Sequence, residues 1–281
     1  MRIALITCER PIGRDDDLDF LVPALKRRGA AIETPAWSDP AVDWGSFDAA
    51  MLSSTWDYYE RLEEFREWLP AVAAATELVN PSGLVEWNID KRYLLELEAA
   101  GIPTVPTVWA EPDGTAEAAA EIAEFGWETV VIKPVIDLGA RNLVRVDAER
   151  VEQMLTAFDV PTMAQPYLPS VAAEGELSLV YANGELTHSL RKLPARGDFR
   201  VQPMYGGTHA AEELGAVIRE IAAEALAVAP SVPLYSRVDV VGTDEGPAVT
   251  ELELIEPRLF LDVAPRAADT FAEALLAAAG R

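Results

Sequence analysis

The feature that most constrains this chain is a predicted β-hairpin near its carboxyl end. Two runs rich in Val, Leu and Ile, at 234–241 and 248–257, flank a cluster of turn-forming residues at 242–247. Apolar runs on either side of Gly and Pro are typical of two short strands joined by a turn. The sequence therefore predicts a pair of antiparallel strands here.

Pairing across this turn determines which side chains share a face. If the pairing is centred on Glu245, Asp239 lies opposite Glu251 and Arg237 lies opposite Glu253. Because successive side chains of a strand point to opposite faces, these four project from the same face. The other face is apolar and points into a core: Val238, Val240, Leu252 and Leu254.

The polar face allows two interpretations. One is a solvated face of an edge hairpin. Against it, facing carboxylates on neighbouring strands repel each other unless a cation lies between them. Carboxylate oxygens a few ångströms apart suit Mg²⁺, which leaves its other positions to water or to nucleotide phosphates. The hairpin therefore suggests a metal–nucleotide site.

The composition argues against several kinds of partner. The 281 residues include 23 Lys and Arg against 47 Asp and Glu, a net charge of −24, which disfavours nucleic acid and anionic membrane surfaces. The single cysteine, Cys8, excludes an internal disulfide. With no signal peptide and no apolar run of spanning length, we expect a cytoplasmic protein that does not cross a membrane.

Familiar catalytic and nucleotide-binding motifs are missing from the sequence. Two histidines, His188 and His209, leave little room for histidine-dependent chemistry. The chain has no G-x-S-x-G, no G-x-x-x-x-G-K-[ST] and no G-x-G-x-x-G. A nucleotide, if bound, would be held in another way.

The first part of the chain alternates strands with helices. The predicted elements are strands at 2–7, 31–34 and 48–53 and helices at 17–28 and 61–75. This order is typical of a doubly wound parallel sheet, in which ligands bind at the carboxyl ends of the strands. The loops at 8–17 and 53–59 are therefore the ones expected near a ligand. For the second loop, an alternative is a helix start whose aromatic side chains pack at a domain seam.

Two lysines in the following region stand at the ends of predicted elements. Lys91 precedes a helix at 92–100, and Lys133 ends a strand at 129–134. The loop to the next strand contains Gly139, and a glycine-containing loop beside a lysine can place backbone N–H groups over phosphates. Taken alone, Lys91 is equally compatible with a solvated surface group.

The Asn183-Gly184 pair predicts a second hairpin, since Asn-Gly between alternating strands is a strong hairpin signal. Its outgoing strand ends at Lys192. The loop at 197–207 contains several glycines and Arg200, and we expect it to be mobile. The remaining predicted elements are a strand at 140–146 and helices at 115–125, 148–158, 212–229 and 264–279.

Several of these residues, taken together, resemble the ATP-grasp enzymes across essentially the whole chain. The matching positions, in order, are Lys91, Lys133-Pro134, Gln165-Pro-Tyr-Leu168, Glu176, Arg237-Val-Asp239 and Glu251-Leu-Glu253. The resemblance is to the ligases related to glutathione synthetase and to the ribosomal-protein-modifying glutamate ligases. Within them the chain is most similar to the sub-group that includes the cyclo-ligase of cycloserine biosynthesis. The segments that carry this similarity are Ser54-Thr-Trp-Asp-Tyr58, Trp87-Asn-Ile-Asp-Lys91, Gly197-Asp-Phe-Arg-Val-Gln202 and Glu251-Leu-Glu-Leu-Ile-Glu-Pro257.

The resemblance implies a fold of both α/β and α+β character. An N-terminal doubly wound parallel-sheet domain at 1–83 would hold substrate, and an ATP-grasp domain at 84–281 would follow. A mobile, lid-like subdomain would lie at about 104–166. Ligases of the type that the chain resembles are often homo-oligomers, either dimers or tetramers, and the sequence itself leaves the oligomeric state open.

The resemblance further implies roles for individual residues. The nucleotide would be held by Lys91, Lys133, Gly139, Ala140, Gln165, Tyr167, Leu168 and Glu176. Asp239, Glu251 and Glu253 would bind two Mg²⁺ ions, with Mn²⁺ as an alternative. Arg237, Lys192 and Arg200 would act on the reacting groups, and Ser54, Thr55, Trp56, Asp57 and Glu256 would face the substrate. Many relatives have Asn where this chain has Glu253, so the metal site here has an additional negative charge.

The activity implied is that of an ATP-dependent carboxylate–amine ligase. ATP would convert a carboxylate of a small amino-acid-like substrate into an acyl phosphate, and an amine would displace the phosphate, either between two molecules or by ring closure within one. The alternatives are a phosphotransferase on the same scaffold and a non-catalytic nucleotide-binding protein.

Overall fold

The computed structural model describes residues 1–9 and 14–280, and its N-terminal part is a parallel sheet. The strands are β1 (Arg2–Thr7), β2 (Ala31–Glu33), β3 (Ala49–Ser54) and β4 (Glu77–Val79). They lie in the order β2-β1-β3-β4, and every pairing is parallel. The predicted parallel sheet is confirmed, although β4 was not predicted.

Helices cover both faces of this sheet. They are α1 (Leu18–Arg27), α2 (Leu62–Ala75) and α3 (Ser82–Ile89). Along β1, Ile3 and Leu5 pack on the side of α1, while Ala4 and Ile6 pack on the side of α2. A strand buried on both faces needs a continuous apolar run, which explains why β1 has one. The sheet is doubly wound, as predicted.

A second sheet follows a short helix, α4 (Tyr93–Ala99). Its strands are β5 (Val108–Ala110), β6 (Thr129–Pro134), β7 (Val144–Asp147) and β8 (Thr162–Pro166), in the order β5-β8-β6-β7 with antiparallel pairing. One face packs on helices α5 (Thr115–Phe125) and α6 (Val151–Leu155). The sheet is thus a two-layer unit with its own apolar core.

The third sheet is antiparallel and contains the two predicted hairpins. After α7 (Pro169–Glu174), its strands are β9 (Glu176–Ala182), β10 (Glu185–Leu193), β11 (Thr208–Ala211), β12 (Tyr235–Thr243) and β13 (Gly246–Glu253). Their order is β11-β10-β9-β12-β13. Helix α8 (Ala216–Ala227) packs on one face, and helix α9 (Ala267–Ala279) packs on the other.

Helix α9 also joins the third sheet to the N-terminal sheet. Phe271 and Leu275 of α9 belong to the same buried cluster as Leu5 of β1 and Tyr235 of β12. At the surface of the protein, α9 also forms an ion pair with the end of α1, in which Arg28 Nη1 lies 2.6 Å from Asp269 Oδ1. The two sheets therefore share a core, and the division at residue 83 stays a prediction, as does the mobility of 104–166.

Several boundaries differ from expectation. Helix α3 begins at Ser82, so it spans the predicted division at residue 83, where no helix was predicted. The strand expected at 140–146 begins only at Val144, since Gly139 and Ala140 have positive φ and form a turn. The additional elements β5, β11 and α7 are short. Of the expected ligand loop at 8–17, residues 10–13 lie outside the described residues.

No helix in the described ranges is long and apolar enough to cross a membrane.

Candidate functional site

The β12–β13 hairpin has the register that the sequence predicted. Asp239 pairs with Glu251, and Arg237 pairs with Glu253. A register shift between Asp239 and Val240 separates this end from the turn, so that Val240 pairs with Val249. The turn is tighter than the six-residue cluster suggested, because the strands continue to Thr243 and Gly246.

The three carboxylates on this hairpin converge. Asp239, Glu251 and Glu253 each offer one oxygen, and these oxygens lie within 4.8 Å of one another. Ser178 Oγ on the neighbouring strand β9 donates a hydrogen bond of 2.5 Å to Asp239 Oδ1. Hard oxygen ligands at this spacing fit a divalent cation such as Mg²⁺.

Arg237 lies between two of these carboxylates. Its Nε and Nη2 each donate to Asp239, at 3.0 Å, and its Nη2 also contacts Glu253. Its remaining nitrogen, Nη1, donates to the Arg258 carbonyl at 3.0 Å. Arg237 is 6% exposed, so the position of its guanidinium is determined by these contacts and not by solvent.

Lys192 and Glu176 form a second buried pair at the same place. Lys192 Nζ contacts Glu176 and lies 3.0 Å from Asp239 Oδ2. Their strands β9 and β10 are hairpin partners, and Lys192 is directly opposite Glu176. Burial raises the pKa of Glu176 to about 7, although the Lys192 charge opposes the shift.

Two further lysines, one between α3 and α4 and one on β6, lie close to Glu251. Lys91 Nζ lies 3.2 Å from Glu251 Oε1 and donates to the Asp137 carbonyl at 2.6 Å. Lys133 Nζ lies 4.0 Å from the same Glu251 oxygen. Burial alone would raise the pKa of Glu251, but Lys133 and Lys91 hold it below its usual range. Lys91 is therefore held inside the site, and the interpretation as a solvated surface group is wrong.

Glu253 differs electrostatically from Glu251. Burial raises the pKa of Glu253 to about 7, with Arg237 opposing the shift and the charge of Glu251 adding to it. Burial also acts on Asp239, yet the charges of Arg237 and Lys192 hold the pKa of Asp239 well below its ordinary value. The three carboxyl groups on one face thus have unequal proton affinities.

These groups line a cavity of about 430 Å³ between the second and third sheets. Most of the predicted site residues line it: Trp56, Lys91, Lys133, Gly139, Ala140, Gln165, Tyr167, Leu168, Glu176, Lys192, Arg200, Arg237, Asp239, Glu251, Glu253 and Glu256. The Tyr167 N–H is donated to the Thr129 carbonyl at 2.9 Å, so this amide is not free to bind adenine.

The loop after β6 closes one side of the cavity. Gly139 and Ala140 have φ of 68° and 55°, in the left-handed region that Ala rarely adopts. Tyr205 Oη donates to the Ala140 carbonyl at 3.3 Å, and the Met204 side chain lies 3.8 Å from where a Gly139 Cβ would be. Arg200 is paired with Asp198 at 2.8 Å and stacks on Tyr205. Two loops therefore meet over the cavity.

Three residues predicted to face substrate do not line the cavity. Ser54 and Thr55 are fully buried at the end of β3. Asp57 accepts hydrogen bonds from Trp37 Nε1 at 2.6 Å and Arg61 Nη2 at 3.0 Å, so both of its oxygens hold other parts of the N-terminal sheet region together. Its neighbour Trp56 does reach the cavity, where its Nε1 donates to the Glu256 carbonyl at 3.3 Å.

Other residues that support the site were not predicted. Asn88 donates to the Leu252 carbonyl and accepts from the Leu254 N–H, both at 2.8 Å, which fixes the chain on either side of Glu253. Tyr93 Oη accepts from the Leu252 N–H at 2.9 Å. Asn88 lies within the Trp87–Lys91 segment that carried the family similarity, and this was the available signal.

Comparison with known families agrees with this architecture. A family model described as the ATP-grasp domain of prokaryotic glutathione synthetase matches residues 110–263, more than half of the chain. A second, described as the N-terminal domain of D-cycloserine synthetase DcsG, matches residues 3–80. The chain belongs to the ATP-grasp family and is an ATP-dependent ligase. Members of this family use ATP and a divalent metal.

One relative within this class is similar over the full length. The cycloserine biosynthesis protein DcsG of Streptomyces lavendulae is 33% identical over 297 residues, covering 97% of each chain. A crystal structure of D-cycloserine synthetase DcsG has a TM-score of 0.90 at 30% identity, covering 99% of this chain and 100% of that one. A D-alanine–D-alanine ligase from Bacillus anthracis, 15% identical, has a TM-score of 0.72 over 100% of this chain and 98% of that one, and shows the fold alone.

Proposed function

We propose that this ATP-dependent ligase joins a carboxylate to an amine through an acyl phosphate, on a small amino-acid-like substrate. The observation that supports this most directly is Arg237, which is buried between Asp239 and Glu253 in the same cavity as Lys91 and Lys133. Phosphoryl transfer and acyl transfer both build negative charge, and preorganised cations stabilise such charge.

The residues present fit ATP and divalent metal. Asp239, Glu251 and Glu253 would hold Mg²⁺, and the converging oxygens support one or two ions there. Lys91 and Lys133 would face the phosphates. When bound, Mg–ATP supplies the γ-phosphoryl group that turns a carboxylate into an acyl phosphate with a good leaving group.

The chain's own side chains then act by position and charge. In the proposal Arg237 stabilises the oxyanion that forms when an amine attacks the activated carbonyl. Lys192, held by Glu176 and Asp239, adds a second fixed cation. Among the described residues that line the cavity there is no serine, cysteine or histidine, which agrees with direct transfer between bound substrates.

Exclusion of water is the remaining requirement, because an acyl phosphate hydrolyses readily. We propose that the subdomain at about 104–166 acts as a lid, together with the loop that contains Arg200. The contact between Tyr205 and the Ala140 carbonyl supports this, since it joins the two segments above the cavity.

The relative DcsG is named as a cycloserine synthetase, and we propose a related role in antibiotic biosynthesis, with ring closure within one amino-acid-like substrate. The test is an ADP-release screen across amino acids and their O- and N-substituted derivatives, singly and in pairs. Turnover with one substrate and a product smaller by one water supports ring closure, whereas turnover only with pairs supports ligation between two molecules.

Two results would contradict the proposal. Release of AMP and pyrophosphate in place of ADP and phosphate would exclude an acyl phosphate route. A stable phosphorylated product without C–N bond formation would instead identify a phosphotransferase.

A further inference from the structure

The cavity contains a buried carboxyl group that the proposed reaction does not use. Glu256 follows β13, lines the cavity and is only 6% exposed. Its Oε2 has no hydrogen-bond partner within residues 1–9 and 14–280. The group is therefore buried without the donor that such an oxygen ordinarily has.

The other acidic residues of the cavity all have partners. Five are paired with cations, and one is bound by an amide: Asp16 with Arg258, Glu176 with Lys192, Asp239 with Arg237, Glu251 with Lys91, Glu253 with Arg237, and Asp137 with Asn142. In the described part of the chain, Glu256 has no such ion pair. This difference separates it from the metal-binding face.

Keeping an unpaired carboxyl group here costs free energy of folding. Burying an ionised group without a partner is unfavourable by several kcal/mol or more, and a group in this position tends to become neutral. Burial raises the pKa of Glu256 well above its ordinary value, and the charge of Glu253 adds to the effect. Among the described residues no ion pair with Glu256 and no hydrogen bond to its Oε2 offsets this cost, which points to a role in binding a ligand that enters the cavity.

The surroundings indicate a small organic cation. The two cations whose charges act on Glu256, Lys91 and Arg237, are occupied by Glu251 and Asp239. Arg258, two residues further along the chain, is occupied by Asp16. Trp56 donates its indole N–H to the Glu256 main-chain carbonyl at 3.3 Å, and Trp56 and Tyr58 line the same cavity as Glu256. A carboxylate without a cationic partner in such a cavity suits an ammonium ion, which donates charge-assisted hydrogen bonds.

We propose that the Glu256 carboxylate binds the ammonium group of the amino-acid substrate and so directs its carboxylate towards Arg237. This inference rests on the proposed ligase function, because it takes the substrate to be an amino acid. Glu256 is then a specificity-determining residue. It selects amino acids over analogues that lack the amino group.

The expected size of the preference follows from the contact. A hydrogen bond to a charged group contributes about 1.5–3 kcal/mol, which corresponds to about a 10- to 150-fold difference in affinity. An amino acid should bind more tightly than its des-amino analogue by this factor. The preference should disappear when the charge of Glu256 is removed.

The test compares Glu256→Gln with wild type, and with Glu245→Gln at the exposed hairpin turn as the matched control. The probes are serine, alanine and O-substituted serines, each beside the acid that lacks its amino group. Binding is measured by calorimetry with Mg²⁺ and a non-hydrolysable ATP analogue. Because no turnover is needed, absence of ligase activity would leave this test intact.

The proposal predicts that Glu256→Gln weakens amino-acid binding at least 10-fold, leaves des-amino binding and nucleotide affinity unchanged, and melts at the same or a higher temperature. Glu256→Asp, which retains the charge, should retain the preference for amino acids. The proposal would be overturned if Glu256→Gln weakened the binding of each amino acid and of its des-amino analogue equally, or if it lowered nucleotide affinity. It would also be overturned if the wild-type protein bound no amino acid more tightly than its des-amino analogue. A marked loss of thermal stability in Glu256→Gln would assign the residue a structural role instead.

Discussion

At the scale of single residues, Arg237 is the clearest link between structure and activity. All of its guanidinium nitrogens have partners, on Asp239, Glu253 and the Arg258 carbonyl. A buried cation held on so many sides loses little freedom when a reaction begins, so its charge is available without rearrangement. The neighbouring Phe260 ring lies 5.6 Å from the guanidinium and adds an aromatic contact.

Glu251 provides a test of the metal assignment. Replacing Glu251 with Gln removes one charged ligand while keeping the side-chain volume. We expect Mg²⁺-dependent ADP release to fall by about 10³-fold, since a metal contributes several kcal/mol to stabilising transferred charge. A titration of ADP release with Mg²⁺ should show that the variant needs a higher concentration.

The control for this experiment is Glu245→Gln, which changes an exposed carboxylate on the same hairpin. It should match wild type at every Mg²⁺ concentration. If Glu251→Gln also matches wild type, the metal assignment on this face is wrong.

Predictability at the residue scale depended on whether the partners were close in sequence. Arg237, Asp239, Glu251 and Glu253 could be placed together because strand geometry relates them directly. The partners of Asp57 could not, since Trp37 lies twenty positions away on another loop and no local pattern connects the two.

At the scale of elements, long periodic segments were predictable and short ones were not. The two hairpins and helices α2 and α9 were found close to their observed positions. The short strands β4, β5 and β11 have three or four residues each, and their conformation is set by the strand beside them. The register shift in β12 likewise has no signal in its own sequence.

The junction of α7 and β9 depends on one glycine, Gly175. It has φ of 83° and ψ of −164°, a conformation open to glycine almost alone. A Cβ added there would lie 2.1 Å from the Lys192 carbonyl oxygen. We expect Gly175→Ala to cost more than about 3 kcal/mol of unfolding free energy, since strain and clash add.

Gly101 makes a matched comparison, because it has φ of 82° but nothing within 4 Å of an added Cβ. Gly101→Ala should cost about 1–2 kcal/mol, from the left-handed backbone alone. Urea unfolding of both variants measures the difference. Equal costs would show that the contact with Lys192 is not as close as described.

At the scale of the whole molecule, a buried carboxyl group joins the two ends of the fold. Asp17, just before α1, accepts hydrogen bonds from the Leu259 and Leu261 N–H groups at 2.6 and 2.7 Å. Those residues follow the β12–β13 hairpin, so Asp17 connects the N-terminal sheet region to the candidate site. Sequence patterns could not reveal this contact, which joins positions more than two hundred residues apart.

Asp17 should make stability depend on pH in a defined direction. Burial raises the pKa of Asp17 to about 6, from 3.8 in the unfolded chain, despite the hydrogen bonds from the two amides. The folded state therefore holds the proton more tightly, and protonation favours folding. This contribution to stability is complete below pH 3.8 and is lost as the pH rises through about 6.

The measurement is urea unfolding of wild type and Asp17→Asn between pH 7 and pH 4. The free energy of unfolding of wild type, relative to the variant, should rise by up to about 3 kcal/mol as the pH falls. Asp19→Asn, in the same segment but exposed, should follow wild type. A wild-type advantage that is constant with pH would show that Asp17 does not titrate in this range.

The shared core beneath α9 has a consequence for how the chain is made. One face of β1, with Ile3 and Leu5, packs against Phe271 and Leu275, which lie more than two hundred residues further along the chain. At about 5–20 residues per second, a ribosome takes on the order of tens of seconds to travel from one to the other. Throughout that time this face of the nascent sheet is covered by α1 but not by α9. Burial of this face of β1 is therefore completed only after α9 has been made, and a chaperone that shields nascent chains would act longest at this face.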